Sequence, residues 1–115
     1  MIEQYRFGLI TINRETYHHD VEIRGKEEIL PWRREESHMI SLSDLKRALN
    51  WNPEIIIIGT GESGIAEVDS ETQSNIKSLG IRLIIDNTPK AIKTFNTILE
   101  KERDKKIIGL FHLTC

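Results

Sequence analysis

Apolar and polar positions alternate at period two near the start of the chain. Phe7–Ile12 is rich in β-formers, and along Tyr17–Arg24 the residues Tyr17, His19, Val21 and Ile23 share one face. Asn13-Arg14-Glu15-Thr16 supplies polar turn residues between these runs, so residues 1–24 predict a β-hairpin with one buried side. Glu27–Arg34 predicts a third extended segment. Pro31 has no amide hydrogen, which sends that strand to a sheet edge or breaks it there.

The period then changes to that of a helix. Ser41 with Asp44 reads as a short form of the capping box, and Leu42, Leu45 and Leu49 follow at helical spacing until Asn50 and Pro53 stop the helix. Glu54–Ile58 is a run of β-branched residues suited to a strand covered on both faces, which requires Ile56 and Ile57 both to be buried. Asp69 or Ser70 opens a second helix carrying Ile76 and Leu79 and ending at Gly80. Ile81–Ile85 predicts the next strand. Thr88 as N-cap with Pro89 as first helical residue opens a third helix, whose inner stripe is Ile92, Phe95 and Leu99 with Ala91 and Ile98 beside it. Ile107–Leu113 predicts the last strand. A hairpin region followed by helix, strand, helix, strand, helix, strand implies an α/β layer fold.

With 115 residues the chain is long enough for one core and too short for two, so 1–115 is expected to be a single domain. Sixteen Lys plus Arg against eighteen Asp plus Glu give a net charge of −2, which argues against a nucleic-acid partner. The longest apolar run, Ile55–Ile58, is far short of a membrane span of about 18 residues. Met1–Ile10 lacks the apolar centre of a secretory signal, and nothing before Phe7 is Arg-rich or Ser-rich as in a transit peptide. The location expected is therefore cytoplasmic. The one cysteine, Cys115, agrees with a reducing compartment.

Gly59-Thr60-Gly61-Glu62-Ser63-Gly64 is the sharpest local signal. It matches G-x-G-x-x-G after a buried strand, and Asp86 follows where a ribose-binding carboxylate would sit. Against a dinucleotide stand Glu62 inside the loop, the missing second half-domain, and a helix cap at Asp69 or Ser70 that comes too late to aim a helix dipole at phosphate. The glycines read better as a tight turn where the strand leaves the sheet. His18 and His19 point to opposite faces of a strand, as do His112 and Cys115, so no metal site is expected. His19, on the apolar face, reads as a hydrogen-bonded core residue. Ser63 lacks the second glycine of a nucleophile elbow, and no catalytic residue is assigned.

Several segments together carry a resemblance. These are Asn52–Gly61, Gly80-Ile81, Thr88, Ala91, Phe95-Asn96 and Leu99, His112-Leu113-Thr114-Cys115, Tyr17-x-x-Asp20-Val21, and Trp32. In order and spacing the chain resembles a small single-domain family of unknown function. That family includes archaeal and bacterial stand-alone proteins, an adipogenesis-associated vertebrate protein and a mitochondrial complex I assembly factor. The resemblance implies a three-layer α/β domain with a central mixed, mostly parallel sheet of about five strands, about three helices, and an N-terminal β-hairpin packed to one side. It implies no reaction and carries over no catalytic residues, and in the family the glycine loop is not a dinucleotide fingerprint; from the residues themselves no cofactor is expected.

Two functions are consistent with these observations. The leading one is a non-catalytic binding or assembly module acting through a protein partner. The other is a small-molecule or enzymatic site at the carboxyl ends of the parallel strands, where open α/β sheets place ligands. Its candidate residues are Gly59, Thr60, Gly61, Ser63 and Gly64 of the loop, Thr88 and Asn96 of the third helix, and Trp32 and His38 arriving from the N-terminal half.

Overall fold

A computed structural model describes residues 1–115. The N-terminal sheet is built from β1 (Ile2–Arg6), β2 (Leu9–Ile12) and β3 (Glu15–Tyr17), all antiparallel neighbours in that order. Asn13 and Arg14 close the β2–β3 hairpin with φ of 49° and 72°, the left-handed pair that a two-residue turn needs to match strand twist. The continuous strand expected over Tyr17–Arg24 is interrupted at His18-His19-Asp20. There the chain leaves the small sheet and enters the large one as β4 (Val21–Arg24). His19, expected in the core, is therefore exposed at the bend, its Nδ1 2.9 Å from the Asp20 carbonyl.

The large sheet has the order β5-β4-β10-β7-β9, with β5 at Glu28–Pro31, β7 at Ile55–Thr60, β9 at Arg82–Asp86 and β10 at Ile107–His112. β4 runs antiparallel to both β5 and β10, whereas β10, β7 and β9 are mutually parallel, so the sheet is mixed. Pro31 sits at the end of an edge strand, where its missing amide hydrogen breaks no ladder. β6 (Met39–Ile40) and β8 (Glu67–Val68) form a separate two-stranded parallel ladder.

Both faces of β7 are covered, and the alternation of its side chains assigns them to two cores. Ile55 and Ile57 pack with the helix α3 (Thr88–Lys101) and with Ile2, Ile10 and Ile12 of the N-terminal sheet. Ile56 and Ile58 pack on the opposite side with Trp32, Ile40, Leu45, Ala48 and Ile76. Ile56 and Ile57 are both wholly buried, as a two-sided strand requires. The expected stripe of α3, namely Ala91, Ile92, Phe95, Ile98 and Leu99, is buried throughout.

A 3-10 turn at Leu42–Leu45 leads into the short helix α1 (Lys46–Asn50), and the Ser41 amide donates to Asp44 Oδ2 at 2.9 Å as the capping box predicts. Helix α2 (Ser70–Ser78) begins after Asp69, whose Oδ1 accepts the Thr72 amide at 2.7 Å. Ile76 is buried, whereas Leu79, expected beside it, is 64% exposed just past the helix end. Glu22 of β4 is 1% exposed because the face opposite Val21 and Ile23 is also covered; Arg24 at 2.8 Å and Arg47 at 3.0 Å neutralise it.

Candidate functional site

The parallel strands β7, β9 and β10 end together, and Thr88 holds those ends. Its amide donates to the Gly61 carbonyl at 2.9 Å, its Oγ1 accepts the Gly61 amide at 2.9 Å, and its hydroxyl donates to the His112 carbonyl at 2.6 Å. Thr88 is wholly buried and sits in the first turn of α3; the cap is Asn87, whose Oδ1 accepts the Lys90 amide at 3.0 Å, with Pro89 following inside the helix. The shift of one residue from the sequence expectation turns Thr88 inward as a clasp. Gly59 makes room for it, since a Cβ there would lie 2.8 Å from Thr88 Oγ1.

The glycine loop is occupied by the protein's own C-terminal residues. The Glu62 amide donates to the Thr114 carbonyl at 2.7 Å, and a Cβ on Gly61 (φ +107°) would lie 2.6 Å from the Cys115 carbonyl oxygen. The chain then forms β8 before α2 starts at Ser70, so the helix that follows the glycine motif begins too late to aim its N-terminus into the loop. Thr60 is nearly buried and its hydroxyl donates to the Asp86 carbonyl at 3.1 Å; Ser63 is exposed, and Gly64 approaches Asn87 and Thr60.

Gly59, Thr60, Gly61, Gly64 and Thr88 thus come together, with Ser63 exposed in the same loop, whereas Asn96, Trp32 and His38 make their contacts elsewhere. Asn96 clasps β1, its Oδ1 accepting the Ile2 amide at 2.9 Å and its Nδ2 donating to the Ile2 carbonyl at 2.8 Å. Trp32 is buried with its indole donating to the Asp44 carbonyl at 2.9 Å, and His38 is exposed with its carbonyl accepting the Glu67 amide. None of the surface hollows is lined by residues 59–64 or Thr88.

Beside this loop lies a polar cluster that no sequence spacing announced. Asp20 Oδ2 is 2.8 Å from His112 Nδ1 and 2.9 Å from Arg34 Nη2, and Asp20 Oδ1 accepts the Leu113 amide at 2.8 Å. Arg34 Nη2 is also 2.8 Å from His112 Nδ1. Arg34 Nη2 can only donate, and an Nδ1 without a hydrogen would set its lone pair against the Asp20 carboxylate at 2.8 Å, so Nδ1 carries a hydrogen and donates it to Asp20, as Nη2 does. In a neutral ring that tautomer leaves Nε2 as an acceptor, with Thr114 Oγ1 at 3.4 Å.

Burial alone would push the Asp20 carboxyl up, but the hydrogen bonds from His112, Leu113 and Arg34 hold it below the ordinary carboxylate value. Arg34 Nη1 donates to the Glu36 and Ser37 carbonyls, which leaves its Nε buried with no partner. Burial, and then the neighbouring Glu62 and Asp20 carboxylates, push the Tyr5 hydroxyl up, so it stays protonated and donates to the Leu113 carbonyl at 3.0 Å. Asp20 and His112 are 92 residues apart; their one trace in the sequence is that both fall in segments carrying the family resemblance.

A third feature is a hollow of about 500 Å³ between α1 and α2, walled by Leu42, Leu49 and Leu79 with Lys46 among them. Leu42 is 41% and Leu79 64% exposed.

These features define a three-layer α/β domain with a buried Asp–Arg–His network at the carboxyl ends of its parallel strands. The chain belongs to the family described as protein of unknown function (DUF498/DUF598), whose model matches residues 2–112. Among solved structures it is similar to the conserved hypothetical protein PH1505 from Pyrococcus horikoshii OT3, with a TM-score of 0.88 and 25% identity over 100% of this chain and 99% of that one. It is also similar to MT938, with a TM-score of 0.81 and 26% identity over 100% and 98% of the two chains. A Bordetella pertussis protein described as an Mth938-like domain shares the fold at a TM-score of 0.74 and 15% identity, covering 97% of this chain and 84% of that one. No helix is long and apolar enough to cross a membrane.

Proposed function

We propose that this protein is a non-catalytic binding module that acts in the cytoplasm by docking a partner protein between α1 and α2. The observation that carries the reading is Leu79, left 64% exposed opposite Leu42 and Leu49 across the hollow. Contiguous apolar surface is retained against a transfer penalty of roughly 25 cal/mol per Å² and marks docking sites. Lys46 lines the same groove and takes part in none of the ion pairs of the protein. The occupant that fits is an apolar segment carrying a carboxylate opposite Lys46.

A photo-crosslinking residue at position 75, on the exposed wall of the same hollow, identifies the partner, which is then purified for titration against the variants. Leu79→Glu is expected to weaken binding by at least about tenfold and Lys46→Glu by several-fold, with unchanged melting. Crosslinks only to a second copy of this chain, or affinity indifferent to Leu79→Glu, overturn the reading.

A second reading, a small-molecule site at the carboxyl ends of the parallel strands near Gly59–Gly64 and Thr88, has one observation in its favour: the buried, unpartnered Nε of Arg34, whose Nη2 is 2.8 Å from His112 Nδ1. A carboxylate or carbonyl ligand would satisfy that donor. Its test is the Arg34 Nε resonance during titration with a panel of carboxylate fragments; a resonance unmoved at millimolar ligand ends this reading.

A further inference from the structure

β9 is an edge of the large sheet, hydrogen-bonded only to β7. In a parallel ladder a residue turns both its N–H and its C=O toward the same neighbour. The Arg82 amide donates to the Glu54 carbonyl at 3.0 Å, so Arg82, Ile84 and Asp86 face β7 while Leu83 and Ile85 direct their backbone groups outward. The other edge, β5, ends in Pro31, which cannot donate to an added strand, and its charged end, Glu28, has no opposite charge at the other end as Arg82 has in Asp86. β9 has no proline, and its centre is the half-buried apolar run Leu83-Ile84-Ile85. Helix α3 packs chiefly over β7, one strand in from this edge. Long apolar edges of this kind invite another strand.

We propose that β9 pairs antiparallel with β9 of a second copy of this chain, about a two-fold axis through Ile84, joining the two large sheets into one. The sequence Arg-Leu-Ile-Ile-Asp is self-complementary when reversed: Arg82 stands opposite Asp86 of the second copy, Leu83 opposite Ile85, and Ile84 opposite itself. Leu83 and Ile85, with outward backbone groups, become the hydrogen-bonded pairs. Arg82–Asp86 and Ile84–Ile84 then fall at the non-hydrogen-bonded pairs, where Cα atoms approach to about 4.5 Å and side chains meet most closely.

Sliding the register by two residues keeps the backbone bonds but sets Arg82 opposite Ile84 or Thr88, so charge selects the register. Both groups remain available for this pairing. Arg82 uses Nη1 for Glu102 at 3.0 Å, and Asp86 uses Oδ1 for the Asn87 amide at 2.8 Å, leaving the remaining guanidinium nitrogens and Asp86 Oδ2. The inference is independent of the α1–α2 groove, which uses neither residue.

Sedimentation equilibrium of the full chain from micromolar to about 1 mM tests it. Wild type is expected to be a reversible dimer. Arg82→Asp and Asp86→Arg are each expected to raise the dimer dissociation constant at least about tenfold, because each sets like charges opposite one another twice. The double variant restores opposite charges and is expected to return to within about threefold of wild type. On wild-type protein, the Leu83 and Ile85 amides should exchange slowly when concentrated and quickly on dilution. A monomer at every concentration overturns the proposal and leaves the edge to a strand of another protein. A dimer indifferent to both charge reversals, or one leaving the two amides unprotected, joins through a different surface and overturns it equally.

Discussion

Thr88 shows how much one hydroxyl decides when it is fully desolvated. It satisfies the Gly61 amide and the His112 carbonyl at once, and neither has water as an alternative. Thr88→Val keeps the shape and strands both partners, so it should lower the unfolding free energy by about 2 to 6 kcal/mol, against less than about 1 kcal/mol for Thr88→Ser; urea titration compares them. Asp20 acts through charge. Its folded-state carboxyl titrates below its ordinary value of 3.8, so the ion network stabilises the fold in full above about pH 5 and loses that contribution as pH falls through about 4 and below. Between pH 5 and pH 3 wild type should therefore lose more stability than Asp20→Asn. At pH 7 the variant should be weaker by about 1 to 3 kcal/mol, because the side chain is only 18% exposed and leaves Arg34 without its anion.

At the scale of elements, β7 was the most legible part of the sequence. Four consecutive isoleucines have no polar face to offer water, so the strand had to be covered twice. Ile57→Ala should cost about 2 to 5 kcal/mol in chemical denaturation through lost burial and a residual cavity; a loss below about 1 kcal/mol would mean the α3 side relaxes around it. The α3 stripe was equally plain, because a buried face repeats every 3.6 residues whatever lies against it. The run from Tyr17 to Arg24 misled because alternation continues across His18-His19-Asp20 although the chain changes sheets there. Periodicity reports which side chains share a face of an extended segment, and not whether the segment keeps the same partner.

For the whole molecule, the two cores are back to back on one sheet, with adjacent isoleucines of β7 belonging to opposite sides. Neither core can be lost while the sheet persists, so the chain should unfold as one cooperative unit. Trp32 and Trp51 both report on the same side of the sheet, whereas far-ultraviolet circular dichroism reports on all of it. The two thermal transitions should coincide; separate midpoints would divide the chain into two folding units.

The glycine loop, the capping residues and the order of strands and helices follow from the sequence because each depends on neighbours within a few positions: a positive φ, a cap, a period. Thr88 was visible at the start of α3, but its inward clasp was not, since the partners that turn it from cap to bridge lie 27 and 24 residues away. The Asp20–Arg34–His112 cluster, the reach of Arg47 to Glu22 and the filled face of Gly61 belong to tertiary structure alone. Charge pairing and close approach act through space across different strands, so no local pattern encodes which distant side chain arrives to complete them.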